Sequence, residues 1–166
     1  MDLSEARLAA AAAVHRLVER SETLATAESL TGGLVAATIV EIPGVSAVYR
    51  GGLVVYATDL KASLAGVPEV LLAERGPVDP QVAVALAAGC RERCGADWGL
   101  ATTGVAGPDP QDGKPVGLVY VAVAGAAGSA VRELKLDGNR AAIRTESVMS
   151  VLRLLSDTLQ ETPNPA

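Results

Sequence analysis

Aromatic side chains are almost absent from this sequence of 166 residues: it has no phenylalanine, and tryptophan and tyrosine together make up 2%. A core without large rings must reach the packing density of proteins with small aliphatic side chains, and 49% of the residues are hydrophobic. The length is enough to bury such a core in one domain. We therefore expect a single domain over residues 1–160, followed by a polar tail over residues 161–166.

Histidine and cysteine are also scarce, and this limits the possible chemistry. The one histidine, His15, lies on a predicted helix far from every glycine-rich loop, and Cys90 and Cys94 lie four residues apart on another predicted helix. Ser–His–Asp and Cys–His catalysis need a histidine next to the nucleophile, and metal sites need clustered His, Cys and carboxylate ligands. We therefore expect no such catalysis, no metal and no cofactor, so that catalysis must use Ser, Thr, Lys, Tyr, carboxylates and backbone amides.

Clustered basic residues and long apolar runs are missing as well. The net charge is −5 and the basic residues are scattered, which argues against a nucleic-acid partner. No apolar run reaches the roughly 18–20 residues that a membrane-spanning helix needs. Residues 1–20 have the pattern of an amphipathic helix rather than of a signal peptide. We expect a cytoplasmic protein that does not bind membranes.

Helical and strand patterns alternate along the chain. After the first helix, strands are predicted at 23–29, 48–58, 97–104, 116–125 and 129–137, and helices at 32–42, 59–65, 79–95 and 139–160. The strands around 52–57 and 117–124 are continuously apolar, which is typical of strands covered on both faces. The pattern predicts an α/β fold of three layers, α/β/α, with a mixed, mostly parallel sheet.

Polar residues in this apolar sequence concentrate where predicted strands end or helices begin, at 28–33, 57–61, 102–108 and 138–144. Ligands of open α/β sheets bind at such places, so we expect these four segments to form the functional site.

Lys61 is the most informative residue of the second segment. It lies in the first turn of a helix that we expect Thr58 to cap, five residues after Tyr56. A desolvated pocket near a helix N-terminus lowers the pKa of a lysine, and neutral lysine can act as a general base toward a serine. The alternative is a lysine that extends to water. Ser29, Ser46 and Ser63 are candidate nucleophiles. Ser63 lies two residues from Lys61 on the same predicted helix, so the two side chains point apart. Sequence spacing does not decide between Ser29 and Ser46.

Two segments have the features of an anion site. The sequence SLTGG, residues 29–33, leads into a helix, so that its hydroxyls and backbone N–H groups favour an oxyanion or phosphate, with simple helix capping as the alternative. Arg140 and Arg144 lie four residues apart at a helix start, where positive charge is costly unless an anion compensates it. Two solvated surface arginines are the alternative explanation.

Four blocks of the sequence resemble the CinA C-terminal domain family, the nicotinamide-nucleotide amidases of the PncC type. The blocks are TAESLTGGLVA, GVSAVYRGGLVVYATDLKASLAGV, TTGVAGPD and KPVGLVYVAV, which occur in family order over roughly residues 20–145. The resemblance implies hydrolysis of nicotinamide mononucleotide to nicotinic acid mononucleotide and ammonia, a three-layer α/β/α fold, no metal, and a homo-oligomer. It also implies the stand-alone form, because the molybdopterin-binding-like domain of many relatives is absent.

The resemblance also implies roles for individual residues. It makes Ser46 the nucleophile, Lys61 the base and Tyr56 their hydrogen-bonding partner. The implied substrate-binding residues are Ser29, Thr31, Gly32, Gly33, Thr103, Gly104, Ala106, Gly107, Arg140 and Arg144. Leu30 stands where many relatives have Cys, and the short loop 107–117 leaves Asp109 and Lys114 without an assigned role.

Two other classes of function fit the same sequence. A non-catalytic nucleotide-binding or regulatory domain would keep the pocket without turnover. A protein-interaction module connected with competence or DNA damage would not need the pocket at all.

Overall fold

The structure is a computed structural model that describes residues 2–165; Met1 and Ala166, the two ends of the predicted domain and tail, lie outside the described residues. The helices and strands alternate as predicted, with one additional helix, α4. In chain order they are α1 (Ser4–Arg20), β1 (Leu24–Glu28), α2 (Leu34–Val40), β2 (Tyr49–Val54), α3 (Thr58–Ser63), α4 (Glu69–Arg75), α5 (Pro80–Arg93), β3 (Trp98–Gly104), β4 (Leu118–Gly125), β5 (Gly128–Lys135) and α6 (Arg140–Glu161).

The five strands form one open mixed sheet in the order β2-β1-β3-β4-β5. β1 is parallel to β2 and β3, whereas β4 is antiparallel to both β3 and β5. Four strands therefore run in one direction and β4 runs in the other. One face packs against α1, α2 and α6, and the other against α3, α4 and α5. The predicted three-layer α/β/α domain with a mixed, mostly parallel sheet is confirmed.

The prediction that both apolar strands are covered on both faces is wrong for β2. β4 is buried along its length except at its two ends, but β2 alternates between half-buried and exposed residues, and Val54 is 49% exposed. The reason is position in the sheet. β2 lies at the edge, whereas the long helices α5 and α6 pack on strands from β1 to β5.

Side-chain caps determine where helices α5 and α6 begin. The carboxylate of Asp79 accepts hydrogen bonds from the N–H groups of Gln81 and Val82 at the start of α5, and Asn139 accepts one from Ala142 at the start of α6. The expected cap by Thr58 is wrong, because α3 begins at Thr58 itself and has no side-chain cap. The position of α3 therefore depends on tertiary contacts, which involve Lys61.

The predicted C-terminal tail packs against α1. Arg20, which is 8% exposed, donates hydrogen bonds to the backbone carbonyls of Thr162 and Pro163 and to Oδ1 of Asn164. A guanidinium group has five N–H donors in a fixed plane, so one buried arginine can hold a short irregular segment in place.

Helix α5 and the segment after α3 approach each other unusually closely at Gly89. A Cβ atom at this position would lie 1.7 Å from the backbone oxygen of Ala65, which is a severe overlap. This contact packs the segment that follows α3 closely against α5.

We predict that Gly89→Ala destabilises the protein by about 1–3 kcal/mol, because the backbone must move to make room for the methyl group. Helix propensity alone would give the opposite sign, since alanine is favoured over glycine in a helix by about 1 kcal/mol. Urea unfolding measures the effect, with Ala85→Gly in the same helix as the propensity control. A more stable Gly89→Ala protein would contradict the close approach.

Candidate active site

The carboxyl ends of three parallel strands lie together at one end of the sheet, where they surround a small cavity of about 80 Å³. Ser29 follows β1, Tyr56 follows β2, and the loop beginning at Val105 follows β3. Arg140 lies at the start of α6. Residues from all four expected polar segments therefore line one cavity. The expected convergence of the four segments is confirmed.

Lys61 lies at the base of this cavity with 1% of its surface exposed. Its Nζ donates hydrogen bonds to the backbone oxygens of Val55 at 2.8 Å and Tyr56 at 3.3 Å, and it lies 2.9 Å from Oγ of Ser29. Burial lowers the pKa of the Lys61 amine from its ordinary 10.5 to about 8. The alternative of a lysine that extends to water is wrong.

The partners of Lys61 are all neutral. Among the ion pairs within residues 2–165, none includes Lys61. A nearby carboxylate would stabilise the ammonium form and raise its pKa, whereas backbone carbonyls and a hydroxyl group compensate much less for lost hydration. The site therefore favours an amine that loses its proton close to neutral pH.

Ser29 is the hydroxyl group that the structure brings to Lys61. It is the first residue after β1, it is 8% exposed, and its N–H donates to the backbone oxygen of Thr102 at 3.0 Å. This bond connects the segment after β1 to β3. The Ser29 side chain is therefore held on the wall of the cavity, beside the amine.

The expected contact between Ser46 and Lys61 is wrong. Ser46 is exposed on a short 3₁₀ turn, Val45–Ala47, just before β2 begins, whereas Lys61 follows the other end of that strand. Six residues of strand separate the two ends, roughly 20 Å at about 3.3 Å per residue. Ser63 is exposed on α3, consistent with its expected direction away from Lys61.

Tyr56 lines the cavity, but its hydroxyl group does not contact Ser29 or Lys61. The hydroxyl oxygen accepts a hydrogen bond of 2.9 Å from Nη2 of Arg140, and the side chain is 58% exposed. Only the backbone oxygen of Tyr56 contacts Lys61. The expected hydrogen bond from the Tyr56 side chain to the reacting pair is therefore absent.

The carboxylate of Glu28 takes one hydroxyl group of the turn at residues 29–33 and the first amides of α2, whereas the N–H of Leu30 stays available on the cavity side. Glu28 accepts hydrogen bonds from the N–H groups of Val35 and Ala36 at 2.8 and 3.1 Å, and from Oγ1 of Thr31 at 2.6 Å. Gly32 and Gly33 have φ values of 58° and 101°, which glycine adopts without strain. Of the residues implied here, Ser29 lines the cavity, whereas Thr31, Gly32 and Gly33 shape the turn behind it.

Glu28 is a buried residue that sequence reasoning missed. It is 2% exposed at the end of β1. The available signal was a carboxylate at the end of an apolar strand, shortly before a helix whose first amides need acceptors.

The end of β3 and the loop that follows it form the opposite wall. Thr103, Gly104, Ala106 and Gly107 all line the cavity, as implied, although the hydroxyl group of Thr103 is engaged by the backbone oxygen of Pro77 at 2.6 Å. Several lining residues have N–H groups that donate no hydrogen bond to protein atoms within residues 2–165, and three of them lie beside Ser29 or on the opposite wall. These three are Leu30, Ala106 and Gly107. Such amides are available to a ligand oxygen.

The two arginines of α6 have different environments. Arg140 lines the cavity, where it donates to the backbone oxygen of Gly107 at 2.5 Å and to Oη of Tyr56. Arg144 instead donates from Nε and Nη2 to the backbone oxygens of Leu30 and Thr31, at 2.9 and 3.0 Å. The expected clamp of two arginines is therefore not formed, and Arg144 holds the turn that follows Ser29.

Other chemistries find little support in the described part of the chain. Burial raises the pKa of the Cys90 thiol to about 12, so it is a poor nucleophile. Over residues 2–165, no three His, Cys, Asp or Glu side chains are grouped as a metal site would require. In the same range, none of the helices combines the length and the apolar character needed to cross a membrane.

We predict that the Lys61 amine titrates near pH 8, because burial without a counter-charge disfavours its ammonium form. The sequence has only two other lysines, Lys114 and Lys135, so NMR spectra of protein with isotope-labelled lysine resolve all three side chains. Lys61→Met identifies the signal. A Lys61 signal that titrates together with the other two would contradict the environment described above.

Comparison with known proteins places this architecture in a family. Residues 6–159 match the CinA C-terminal domain. A CinA-like protein of Frankia casuarinae is 53% identical over 148 residues, which are 89% of this chain and 34% of that protein. A CinA-like protein of Geobacter sulfurreducens is 50% identical over 142 residues, 84% of this chain and 34% of that protein. The chain thus spans about a third of the length of these curated relatives.

Solved structures agree along the whole domain. The competence/damage inducible protein CihA from Agrobacterium tumefaciens is 34% identical and superposes with a TM-score of 0.90, covering 97% of this chain and 100% of that chain. A CinA superfamily protein from Klebsiella pneumoniae is 26% identical with a TM-score of 0.91, covering 95% and 99%. The chain belongs to the CinA C-terminal domain family.

Proposed function

We propose that this chain is a serine–lysine amidohydrolase that converts nicotinamide mononucleotide to nicotinic acid mononucleotide and ammonia. The observation that supports this most directly is the contact of 2.9 Å between Oγ of Ser29 and the buried Nζ of Lys61. A serine hydroxyl group needs a base to become a nucleophile, and a desolvated lysine is one of the few groups that can serve where no histidine is close.

The backbone around Lys61 orients it for this task. Neutral lysine has two N–H bonds, and the two backbone oxygens of Val55 and Tyr56 accept both. Nζ donates its third hydrogen bond to Oγ of Ser29 when it is protonated. Once the ammonium group loses that proton, the lone pair of Nζ faces Ser29, and the serine hydroxyl group can donate to the amine. This is the geometry that proton transfer from serine to lysine requires.

The proposed reaction has two halves. Lys61 takes the proton of Ser29 while Oγ bonds to the carboxamide carbon, and the resulting tetrahedral oxyanion collapses by breaking the C–N bond. Lys61 returns the proton to the leaving nitrogen, so that ammonia departs and an ester of Ser29 is left. Water then loses a proton to Lys61 and attacks the ester. The C–Oγ bond breaks, and Lys61 returns the proton to Oγ, which releases the carboxylic acid and restores the Ser29 hydroxyl group.

Backbone amides on both sides of the cavity are the proposed oxyanion donors. The N–H of Leu30 follows the nucleophile directly, and those of Ala106 and Gly107 belong to the opposite wall. Such donors stabilise the developing negative charge, and each contributes about 10²–10³ in rate in other enzymes.

Nicotinamide mononucleotide as the substrate rests on the family resemblance together with the charges of the cavity. Arg140 is the arginine that lines the cavity, and its planar guanidinium group suits a phosphate. Asp109 also lines the cavity and supplies a carboxylate for the positively charged pyridinium ring. A place in pyridine nucleotide salvage, a cytoplasmic location and a homo-oligomeric assembly belong to the same proposal.

We predict that Ser29→Ala and Lys61→Met each lower the rate of ammonia release from nicotinamide mononucleotide by at least about 10³-fold, because each removes one member of a cooperating pair. Ser46→Ala is the matched control: it removes an exposed hydroxyl group outside the cavity and should keep activity within about twofold. Thermal unfolding and nucleotide binding, measured by calorimetry, show that the inactive variants still fold and bind.

The competing functions give different results in these assays. Nucleotide binding without ammonia release by the unmodified protein would indicate a regulatory domain. The absence of both binding and turnover would favour an interaction module. Loss of activity in Ser46→Ala but not in Ser29→Ala would contradict the assignment of the nucleophile. Comparison with the riboside and free nicotinamide tests whether the phosphate is recognised.

We predict that kcat/KM rises with pH and levels off above about 8, because only neutral Lys61 can accept the serine proton. Well below that midpoint the rate should fall about tenfold for each pH unit, since the neutral fraction falls by that factor. Rates measured between about pH 6 and about pH 10 test this. A rate that falls as the pH rises through 8 would mean that Lys61 acts in its charged form.

A further inference from the structure

Glu28 combines deep burial with a position directly before the proposed nucleophile. It is 2% exposed, and none of the ion pairs within residues 2–165 includes it. It does not line the cavity. A buried charged carboxylate is costly unless several hydrogen bonds compensate its lost hydration. Since the Glu28 side chain does not face the cavity, a role in contacting the substrate does not account for it.

Both oxygens of the carboxylate are used to hold the segment after Ser29. Oε1 accepts from the N–H of Val35 and from Oγ1 of Thr31, and Oε2 accepts from the N–H of Ala36. The first two donors lie on different sides of the glycine pair. The carboxylate therefore closes the turn between β1 and α2 from within, and the positive end of α2 stabilises its charge.

The same turn is connected to two other elements. Oγ1 of Thr31 lies 2.8 Å from Oγ1 of Thr102 in β3, and the guanidinium group of Arg144 in α6 donates to the backbone oxygens of Leu30 and Thr31. Glu28 is thus the centre of a set of contacts that involves β1, β3, α2 and α6. Ser29 and Leu30 lie on the cavity side of this set.

We propose that Glu28 is a positioning residue: its carboxylate fixes the turn so that Oγ of Ser29 stays within hydrogen-bond distance of Lys61 and the N–H of Leu30 stays directed at the cavity. This inference rests on the proposed function for the role of Ser29 as nucleophile. Its structural part, the control of the distance between Ser29 and Lys61, can be measured independently of any activity.

The central experiment is Glu28→Gln. An amide keeps the volume and one acceptor oxygen, but its NH₂ group must face the N–H of Ala36, so two donors meet and the turn shifts. We expect kcat to fall about 100-fold, the effect of a misplacement of about 1 Å, with KM within about twofold. Rates are normalised to the folded fraction from thermal unfolding, so that a loss of folded protein is not counted.

The pH dependence separates positioning from an electrostatic effect on the base. Positioning leaves the midpoint of kcat/KM near 8, because burial determines the pKa of Lys61. If Glu28 acted through its charge, its removal would destabilise the ammonium form and lower the midpoint. A lowered midpoint would overturn the proposal.

Two further variants keep the test interpretable. Asp97→Asn is the control. Asp97 lies at the opposite end of the strands from the cavity, where it accepts hydrogen bonds from the N–H and Oγ1 of Thr23 at 2.8 and 3.1 Å. It should keep kcat within about twofold. If Glu28→Gln does not fold, Thr31→Val removes one of the three donors and should lower kcat roughly tenfold with the same pH midpoint. Full activity of Thr31→Val would then count against the proposal.

A crystal structure of Glu28→Gln decides the structural part. We expect Nζ of Lys61 and Oγ of Ser29 to be beyond hydrogen-bond distance, compared with 2.9 Å in the unmodified protein. An unchanged distance would overturn the positioning role. If the unmodified protein releases no ammonia from any amide, the proposed function fails, and this distance alone then supports or overturns the role of Glu28.

Discussion

The burial of one amine is the constraint on which the rest of the site depends. Lys61 exchanges the hydration of its ammonium group for two backbone oxygens and one hydroxyl group, and it has no counter-charge among the described residues. Such an environment stabilises the neutral form, which is the form that can accept a proton.

A neutral Lys61 also requires that Glu28 find its hydrogen bonds elsewhere. Both residues are buried beside Ser29: Glu28 precedes it in the sequence, and Nζ of Lys61 contacts its Oγ. A Glu28 carboxylate facing Lys61 would form a buried ion pair and raise the pKa of the amine. Instead, the first amides of α2 and the hydroxyl group of Thr31 take up both oxygens of the carboxylate. The start of α2 therefore serves the active site indirectly, by holding a negative charge away from the base.

Much of the fold was predictable because most of its helices and strands have clear local sequence patterns. The order of elements, the caps at Asp79 and Asn139, and the gathering of polar segments at one end of the sheet all follow from local patterns. The sequence did not predict helix α4, and the prediction that β2 is covered on both faces was wrong. The exposure of β2 follows from its edge position, which depends on strand order and has no local sequence signal. Glu28 was missed for a similar reason, since the pattern at 29–33 does not show that this side chain turns inward.

The choice between Ser29 and Ser46 as the nucleophile depends on strand pairing, which the local sequence does not reveal. Ser46 precedes β2 and Lys61 follows it, so the strand itself keeps them apart. β1 is parallel to β2, and its last residue, Glu28, lies opposite Val54, the last residue of β2. The residues that follow, Ser29 and Val55, therefore leave the sheet side by side, and the backbone oxygen of Val55 binds Lys61. Parallel pairing of β1 with β2 thus brings Ser29 to the amine, and no rearrangement of loops that preserves this pairing would bring Ser46 there within one chain.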